Sequence, residues 1–250
     1  MMFPFTPPST TRHHASRAAL GATLLVAAGL AVPVGPASAA GPVTGAPAAT
    51  GAAVVTVAAT SSRPLLRQGA KGAAVTTLQR RLAALHYDVG AVDGAFGPST
   101  FHAVVAFQKV NGLARDGVVG PRTWAALDRP VVPKPKYTHS GYSLEANLTK
   151  QVVYLARGGS VVRILDASSG KASTPTPTGN YTMQRRIDGW RQSNLGLLWR
   201  PYYFYNGYAV HGATSVPAYP ASHGCVRVPV PAMNRLWSTI KIGIPVHIYR

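Results

Sequence analysis

A turn that occurs twice constrains the fold of this 250-residue chain more than any other feature of its sequence. The stretch from Asp93 to Thr100 recurs 23 residues later (93 to 116), from Asp116 to Thr123, with the same Asp-Gly pair, Gly-Pro pair and final Thr. Asp-Gly favours a tight turn, and proline suits the first turn of a helix. Calcium loops carry denser carboxylates than these turns do. We therefore interpret the repeat as a helical hairpin made twice rather than as a metal site.

Apolar residues around the repeat recur at helical spacing. They predict three helices, of which the third is short. The apolar positions are Val75, Leu78, Leu82 and Leu85 in the first helix, Phe101, Val104, Val105 and Phe107 in the second, and Trp124 and Leu127 in the third.

This helical segment, residues 66–127, resembles the three-helix peptidoglycan-binding domain found on bacterial wall enzymes. The resemblance implies a small all-α module over residues 65–128 that targets the chain to peptidoglycan glycan and peptides and supplies no chemistry. The residues that carry it are Gly72, Val75, Leu78, Gln79, Leu82, Asp93, Gly94, Phe96, Gly97, Thr100, Phe107, Gln108, Asp116, Gly117, Gly120, Thr123 and Trp124.

The first residues have the layout of a secretory signal peptide. Arg12 and Arg17 precede an apolar run from Ala18 to Val32, and an Ala-x-Ala cleavage site ends at Ala39. That run is short for a membrane span. We expect a signal peptide over residues 1–39, a flexible linker over 40–64 and a secreted, wall-associated protein. In the alternative, the segment stays uncleaved as an amphipathic anchor and provides the chain's only membrane contact.

The charge balance narrows the partners of the chain. Lys and Arg number 25 against 7 Asp and Glu, a formal net charge of +18, which favours a polyanionic partner. Export and the first domain indicate wall polyanions rather than nucleic acid. The chain has a single cysteine, which excludes an intramolecular disulfide and any multi-cysteine metal site. We expect neither a metal nor a cofactor.

After a proline-rich linker at residues 129–141, the pattern of the chain changes from helical to strand-like. Runs of Val, Ile, Leu, Thr and Tyr predict strands, and Gly158-Gly159 predicts a hairpin turn. The chain is therefore multidomain, with a mostly-β second domain over residues 142–250 that contains one or two helices. The predicted strands are Gln151–Ala156, Ser160–Ala167, Gly179–Met183 and Val246–Tyr249, and the predicted helix is Pro231–Ile240.

The candidate catalytic residues lie between Tyr208 and Val228. His211-Gly212 is followed by the run from Ser222 to Arg227, which contains the lone Cys225 next to a second histidine. A thiol is only a few per cent thiolate at neutral pH, and an imidazole within hydrogen-bond reach can take its proton. Gly224 lets the backbone turn and present amides to an oxyanion. The alternative is a buried, inert Cys225 that only packs.

This second segment resembles the L,D-transpeptidase catalytic domain of the YkuD type, which implies a β-sandwich-like fold. The likeness also covers Leu144 to Leu155 and Thr176 to Tyr181. The resemblance implies that Cys225 is the acylated nucleophile and His211 the general base, with the His211 ring oriented by the backbone at Gly212. It places His223 near the thiol and oxyanion site, and the amides around Gly224 in the oxyanion hole.

Two departures from the family pattern concern substrate binding. Ten residues separate His211 from Ser222 (212 to 221), fewer than the family usually has, and Arg227 stands where many members carry Asn. Arg227 either binds a substrate carboxylate or braces the turn. An aromatic insert before His211 is a candidate lid. The candidate substrate-binding residues are Arg227, Ser222, Trp190, Trp199 and Tyr208.

The resemblance implies a thioester between Cys225 and a stem tetrapeptide, release of D-Ala and transfer to an amine, which crosslinks the wall. Capture by water would make the same site an L,D-carboxypeptidase. Three other interpretations stay open: a zinc peptidase using His211, His223 and His247, a cysteine hydrolase of the NlpC/P60 type using His247, and a non-catalytic wall-binding protein. The zinc site is weakened by scarce carboxylates: residues 142–250 contain Glu145, Asp166 and Asp188.

Overall fold

The computed structural model describes residues 63–250, so the expected signal peptide and nearly all of the first linker lie outside the described residues. Within this range no helix has both the length and the apolar character that crossing a membrane requires. The described part begins with three helices, α1 (Ala73–Ala84), α2 (Pro98–Val110) and α3 (Pro121–Asp128).

The three helices form where periodicity predicts them. Val75, Leu78 and Leu82 of α1 are fully buried, and they pack in one core with Phe107 of α2 and Trp124 of α3. The second and third helices each begin with proline at the first position after a glycine. The all-α prediction for the first domain is therefore confirmed.

A buried glutamine holds each copy of the repeated turn. Gln79 Nε2 donates to Asp93 Oδ1 at 2.9 Å and to the Ala95 carbonyl at 3.0 Å, and the Gly94 N–H donates back to Gln79 Oε1. Gln108 makes the same three contacts with the second turn. The repeat is thus a hydrogen-bonded unit that occurs twice, and in each copy the aspartate carboxylate accepts hydrogen bonds from the glutamine and from the backbone of its own turn.

The second domain consists of two sheets and one helix. The first sheet has the order β3-β2-β1-β10-β4, and the second has β5-β7-β8-β9 with β6 paired to β7. The elements are β1 (Tyr142–Asn147), β2 (Val152–Arg157), β3 (Ser160–Asp166), β4 (Gly179–Thr182), β5 (Arg185–Arg186), β6 (Trp190–Ser193), β7 (Gly196–Tyr205), β8 (Tyr208–Ala213), β9 (Val226–Pro229), α4 (Val230–Thr239) and β10 (Pro245–Tyr249).

Apolar side chains from both sheets and from α4 form one core. Val153 and Val246 come from the first sheet, Val210 and Val226 from the second, and Met233 from the helix, and each is at most 1% exposed. The mostly-β prediction with one or two helices is confirmed, with one helix present. The strands follow the prediction to within a residue or two; Gln151, for example, lies in the turn before β2, with a φ of 57°.

The first domain packs directly onto the second. Phe107 and Val110 of α2 share a core with Val152, Tyr154 and Ile164 on the outer face of β2 and β3. This face of the first sheet is therefore covered by the helical domain, and the two domains share apolar packing rather than a tether alone.

Charged groups lie inside this domain contact. Lys109 Nζ donates to Asp166 Oδ1 at 2.5 Å and to the carbonyls of Gln151 and Ala167, and the Lys109 and Asp166 side chains are both 0% exposed. His102 Nδ1 contacts the other oxygen of Asp166 at 2.7 Å. Burial is the main reason that the pKa of Lys109 is lowered, and the Asp166 charge opposes it.

The proline-rich linker is held against the second domain. The N–H groups of Lys136 and Tyr137 each donate to the buried carboxylate of Glu145 at 2.9 Å. The Tyr137 ring stacks on His247, with ring centroids 3.9 Å apart. The segment is irregular in conformation, and these contacts tie its C-terminal part to the first sheet.

Candidate active site

The parallel strands β8 and β9 place two residues of the predicted site on the same face of the second sheet. Val210 pairs with Val226, and His211 pairs with Arg227. Because side chains alternate along a strand, the two valines enter the core while His211 and Arg227 face the other way. Cys225 lies in the bend just before β9, packs against the cluster that contains Ala209 of β8, and lines the same cleft as His211.

This face forms the floor of an open cleft of about 720 Å³. The β6–β7 hairpin borders one side of the cleft, and Thr214 and Ser215 border another. Of the residues predicted from the sequence, those that line the cleft are His211, Ser222, His223, Cys225, Arg227 and Trp190. The structure therefore brings most of the predicted site together.

His211 is oriented as a proton acceptor. Its Nδ1 lies 2.9 Å from the Gly212 carbonyl, which only accepts, so Nδ1 carries the proton and Nε2 keeps a free lone pair. Burial lowers the pKa of His211 to about 4; the Gly212 hydrogen bond opposes this effect, and the Arg227 charge adds to it. The imidazole is therefore neutral at pH 7.

Cys225 is a protonated thiol in the same pH range. Burial raises the pKa of Cys225, while a backbone hydrogen bond from Ala209 and the Arg227 charge act in the opposite direction. At rest, the cleft therefore holds a neutral thiol, whose Sγ lies 4.0 Å from the Gly207 carbonyl oxygen, and a neutral imidazole. Proton transfer from Sγ to an imidazole nitrogen has to accompany any attack by this sulfur.

The turn that presents Cys225 depends on Ser222 and on a glycine. Ser222 Oγ donates to the Cys225 carbonyl at 2.5 Å and accepts from the Gly224 N–H at 3.1 Å. Gly224 has a φ of 114°, and a Cβ there would lie 2.4 Å from the Tyr208 ring. Ser222 therefore braces the turn, and the Gly224 N–H, expected at the oxyanion site, is engaged inside the turn.

A histidine and an arginine border the cleft that contains the thiol. His223 is exposed and lines the cleft, while Arg227 is half-buried. Within residues 63–250, the Arg227 guanidinium makes no hydrogen bond or ion pair, although its backbone pairs with Ser168. An unpaired guanidinium facing the cleft suits recognition of a carboxylate.

The three aromatic residues predicted to bind substrate take different places. Trp190 lines the cleft and is 47% exposed. Trp199 packs behind it, with ring centroids 5.1 Å apart, and its Nε1 donates to Asn234. Trp199 also lies against Gly212, where a Cβ would approach its ring to 2.8 Å. Tyr208 packs over Gly224, so Trp199 and Tyr208 support the site from behind while Trp190 borders it.

Several residues of the cleft were not predicted from the sequence. Arg191 and Leu197 of the hairpin line it, as do Thr214 and Ser215 of the loop after β8. Their signal in the sequence is positional: all four belong to the segments that flank His211 on either side.

The two metal or hydrolase interpretations based on His247 do not match the geometry. His247 belongs to the first sheet, where its Nε2 lies 2.8 Å from Nε2 of His139, and it is not among the residues that line the cleft. Among the described residues, no group of three or more His, Cys, Asp or Glu side chains is arranged to hold a metal ion.

Two family models match this chain. Residues 71–127 match a model described as a putative peptidoglycan binding domain, and residues 141–248 match one described as an L,D-transpeptidase catalytic domain. A crystal structure of an L,D-transpeptidase from Xylanimonas cellulosilytica is 46% identical, with a TM-score of 0.70, over 74% of this chain and 97% of that one.

Curated relatives match over shorter stretches. An uncharacterized protein of Kitasatospora aureofaciens is 50% identical over 70 residues, 28% of this chain. The N-acetylmuramoyl-L-alanine amidase CwlL of Bacillus licheniformis is 34% identical over 116 residues, 44% of this chain. The matches span 59% and 32% of those two proteins, less than two thirds of either.

Proposed function

The chain belongs to the L,D-transpeptidase family, and from this premise we propose that it is an exported wall-crosslinking acyltransferase with Cys225 as its nucleophile. The observation that supports the proposal is that Cys225, which directly precedes β9, and His211, on the paired strand β8, line the same cleft. The peptidoglycan-binding domain at residues 71–127 supports peptidoglycan as the substrate.

The first half-reaction forms a thioester. Sγ of Cys225 attacks the carbonyl carbon of the third residue of a stem tetrapeptide, while Nε2 of His211 accepts the thiol proton. The tetrahedral intermediate collapses by breaking the C–N bond to the terminal D-Ala. His211 returns its proton to the leaving amine, so free D-Ala departs and the acyl group stays on sulfur.

The second half-reaction regenerates the thiol. An amine from a neighbouring stem attacks the thioester carbonyl and gives a proton to His211. The C–S bond breaks, and the sulfur recovers that proton. The product is a new amide between two stems. With water in place of the amine, the product is a free carboxylate and the same site is an L,D-carboxypeptidase.

The electrostatics of the site determine when the proton moves. His211 has a pKa of about 4 and the pKa of Cys225 is raised, so transfer from the thiol to the imidazole is unfavourable at rest and has to occur together with attack on the carbonyl. In its protonated form, His211 lies near Arg227, whose charge disfavours the imidazolium and so favours prompt return of the proton to the leaving group. The backbone amide of Cys225 would stabilise the oxyanion, and Arg227 would hold a stem carboxylate.

Intact-mass spectrometry of the protein incubated with a disaccharide-tetrapeptide tests the proposal. We expect an adduct equal to the donor minus D-Ala on wild type, no adduct on Cys225→Ala, and a strongly slowed adduct on His211→Asn. His139→Asn, which changes a histidine outside the cleft, is the matched control and should acylate normally. An absent adduct on wild-type protein whose thiol still reacts with iodoacetamide would refute the acyl-enzyme.

Product analysis separates transfer from hydrolysis. With donor and an amine acceptor present, crosslinked dimers support the transpeptidase. Tripeptide product alone, at saturating acceptor, would identify the enzyme as a carboxypeptidase. Retention of full crosslinking by Cys225→Ala would instead remove Cys225 from the chemistry.

Export is the remaining part of the proposal. The Ala-x-Ala sequence ending at Ala39 predicts a mature protein that begins at residue 40. N-terminal sequencing of protein recovered from the cell wall tests this. A first residue upstream of Ala18 would indicate that the segment stays attached as an anchor.

A further inference from the structure

A buried lysine of the helical domain contacts the catalytic domain at a point that the proposed mechanism does not use. Lys109, in the last turn of α2, has three Nζ protons and three acceptors within hydrogen-bond distance, all of them in the catalytic domain. One acceptor is the Asp166 carboxylate, and the other two are the backbone carbonyls of Gln151, at 3.0 Å, and of Ala167, at 2.8 Å. The ammonium therefore holds two stretches of backbone as well as a charge.

One of these stretches leads directly to the turn that carries Cys225. We call residues 167–171 the platform, and all of them except Lys171 are buried. The platform begins where β3 ends, immediately after Asp166. Two of the three oxygens that Lys109 contacts, on Asp166 and on Ala167, thus lie at or next to its first residue.

The third oxygen belongs to a residue that holds the middle of the platform. Gln151 Oε1 accepts from the Ser169 N–H at 2.8 Å, and Gln151 Nε2 donates to Ser169 Oγ at 2.7 Å. The Gln151 carbonyl, which Lys109 contacts, also accepts from the Ala167 N–H at 3.1 Å. Lys109 therefore restrains the platform both directly at Ala167 and, through Gln151, at Ser169.

The platform in turn holds both ends of the turn that presents Cys225. At one end, the Ser169 carbonyl accepts from the Ser222 N–H at 3.0 Å. At the other end, the backbone groups of Ser168 and Arg227 exchange two hydrogen bonds, at 3.0 and 2.9 Å. Cys225 lies between these two anchored points, so its position depends on that of the platform.

The platform and the turn are in direct backbone contact. A Cβ on Gly170 would lie 2.9 Å from Gly224 Cα and 2.2 Å from the Thr174 carbonyl oxygen. The Lys171 N–H also donates to the Ser222 carbonyl at 3.0 Å. Because interiors packed this closely have no gap in which a shift can be absorbed, a displacement of the platform displaces the turn.

Lys109 can affect the reaction only through this backbone path. The residues that line the catalytic cleft include neither Lys109 nor any residue of the platform. The position of the nucleophile matters because the reacting atoms need a separation of about 3–3.5 Å before attack.

We propose that Lys109 is a positioning residue for Cys225, which acts from the helical domain through Gln151 and the platform. The inference rests on the proposed function, because it takes Cys225 as the nucleophile. It gives the peptidoglycan-binding domain a part in building the catalytic site, in addition to attaching the chain to the wall.

A variant that removes these contacts without leaving a buried ion tests the proposal. Lys109→Met combined with Asp166→Leu removes both buried charges together, along with the donors to the carbonyls of Gln151 and Ala167. The substrate is a soluble disaccharide-tetrapeptide. We expect the maximal rate of acylation to fall by about 10- to 100-fold, because a nucleophile misplaced by about 1 Å loses rate. The half-saturating concentration should stay within about twofold of wild type, because the lining of the cleft is unchanged.

The other charged contact between the two domains provides the matched control. Arg235 of α4 donates to both carboxylate oxygens of Asp88, at 2.7 and 2.8 Å, and these hydrogen bonds do not involve the platform. Asp88→Asn should acylate at the wild-type rate. Equal slowing in Asp88→Asn and in the double variant would assign the effect to loosened docking and overturn the proposal. A folded double variant with the wild-type acylation rate would overturn it as well.

Gln151→Met tests the same path at its next step and serves if the double variant does not fold. This substitution keeps the carbonyl that Lys109 contacts and removes the side-chain contacts with Ser169. We expect a lower maximal rate of acylation here too, and a wild-type rate would overturn the path through the platform. Thermal unfolding shows which variants are folded.

NMR without substrate separates failure of this proposal from failure of the proposed function. The backbone amide signals of Gly224 and Cys225 should shift in the double variant and stay in place in Asp88→Asn. Unshifted signals in the double variant would overturn the positioning role and leave the acyl-enzyme standing. A wild type that forms no adduct, together with shifted signals in the double variant, would remove the acyl-enzyme and keep the role of Lys109 in placing the turn.

Discussion

Alkylation of Cys225 by iodoacetamide should accelerate steadily with pH, because burial raises the pKa of the thiol and keeps it protonated at neutral pH. The alternative resting state is a thiolate held by a protonated histidine. With a pKa of about 4, His211 is neutral over the range in which the alkylation rate is measured and does not supply that charge.

The size of the effect follows from the protonation equilibrium. A thiol whose pKa is raised above 9.0 is at most about 1% thiolate at pH 7, and this fraction grows about tenfold per pH unit from pH 6 to 8. The second-order rate of alkylation should grow in the same proportion. His211→Asn should show the same slope, while its acylation by a stem peptide should slow by about 10²- to 10⁴-fold, the usual contribution of a general base.

The assay follows adduct formation by intact mass from pH 5 to 8.5, with glutathione alkylated in the same buffers as a reference thiol. A rate that is flat between pH 5 and 7 in wild type, and that becomes steep in His211→Asn, would refute the reasoning. That pattern would show an ion pair at rest, in which attraction between the two groups exceeds the cost of burying them.

Three further predictions concern stability. Lys109→Met leaves the Asp166 carboxylate and two carbonyls without their buried cation. The free energy of unfolding should fall by about 3–5 kcal/mol and the Tm by roughly 10 °C. The double variant that also carries Asp166→Leu should recover most of this stability. Folding lowers the pKa of His211 from 6.5 to about 4, so the unfolded chain binds a proton more readily than the folded one between these pH values. The free energy of unfolding is therefore undiminished above pH 6.5 and falls as pH drops towards 4. His211→Gln should lessen this loss in acid by about 3 kcal/mol. Gly224→Ala puts a Cβ within 2.4 Å of the Tyr208 ring at a φ of 114°. This substitution should lower the free energy of unfolding by about 1–3 kcal/mol and should also slow acylation of Cys225.

Chemical denaturation at several pH values measures these effects, and each has a matched control. Lys71→Met and His223→Gln change exposed side chains and should leave the free energy of unfolding nearly unchanged. Gly97→Ala adds a methyl where no atom lies within 4 Å. A Lys109→Met protein as stable as Lys71→Met, or equal losses in Gly97→Ala and Gly224→Ala, would contradict the contacts on which the predictions rest.

Local patterns were sufficient to predict the helices and to select two residues that line one cleft in the structure. The spacing of Val75, Leu78 and Leu82 predicts the buried face of α1, which the structure confirms. His211 and Cys225 stand out because histidine, glycine and a lone cysteine cluster within a short stretch. Such signals involve residues close in the chain, so they need no knowledge of the tertiary structure.

Features that depend on distant partners were missed. Lys109 reads as a solvent-facing residue at the end of a helix, yet its side chain is fully buried against Asp166, 57 positions away. Arg235 binds Asp88 across 147 positions. Nothing in either local sequence encodes these pairings, because they arise only when the helical domain docks on the sheet.

The same limit applies to the cleft. The aromatic insert suggested a lid, but the pairing of Trp190 with Trp199 across the β6–β7 hairpin decides which ring faces the cleft. Ser222 likewise reads as a substrate ligand, whereas its hydroxyl is engaged on both sides within the turn.

The contact between Asp88 and Arg235 has a consequence for the linker between the two domains. The helical domain is docked on the catalytic domain through this ion pair and through the packing of α2 on β2 and β3. A flexibly tethered module presents its ligand at an effective concentration that falls as the linker lengthens. In the docked arrangement, the geometry of the domain contact, rather than the length of residues 129–141, sets how closely a wall strand bound by the module approaches Cys225.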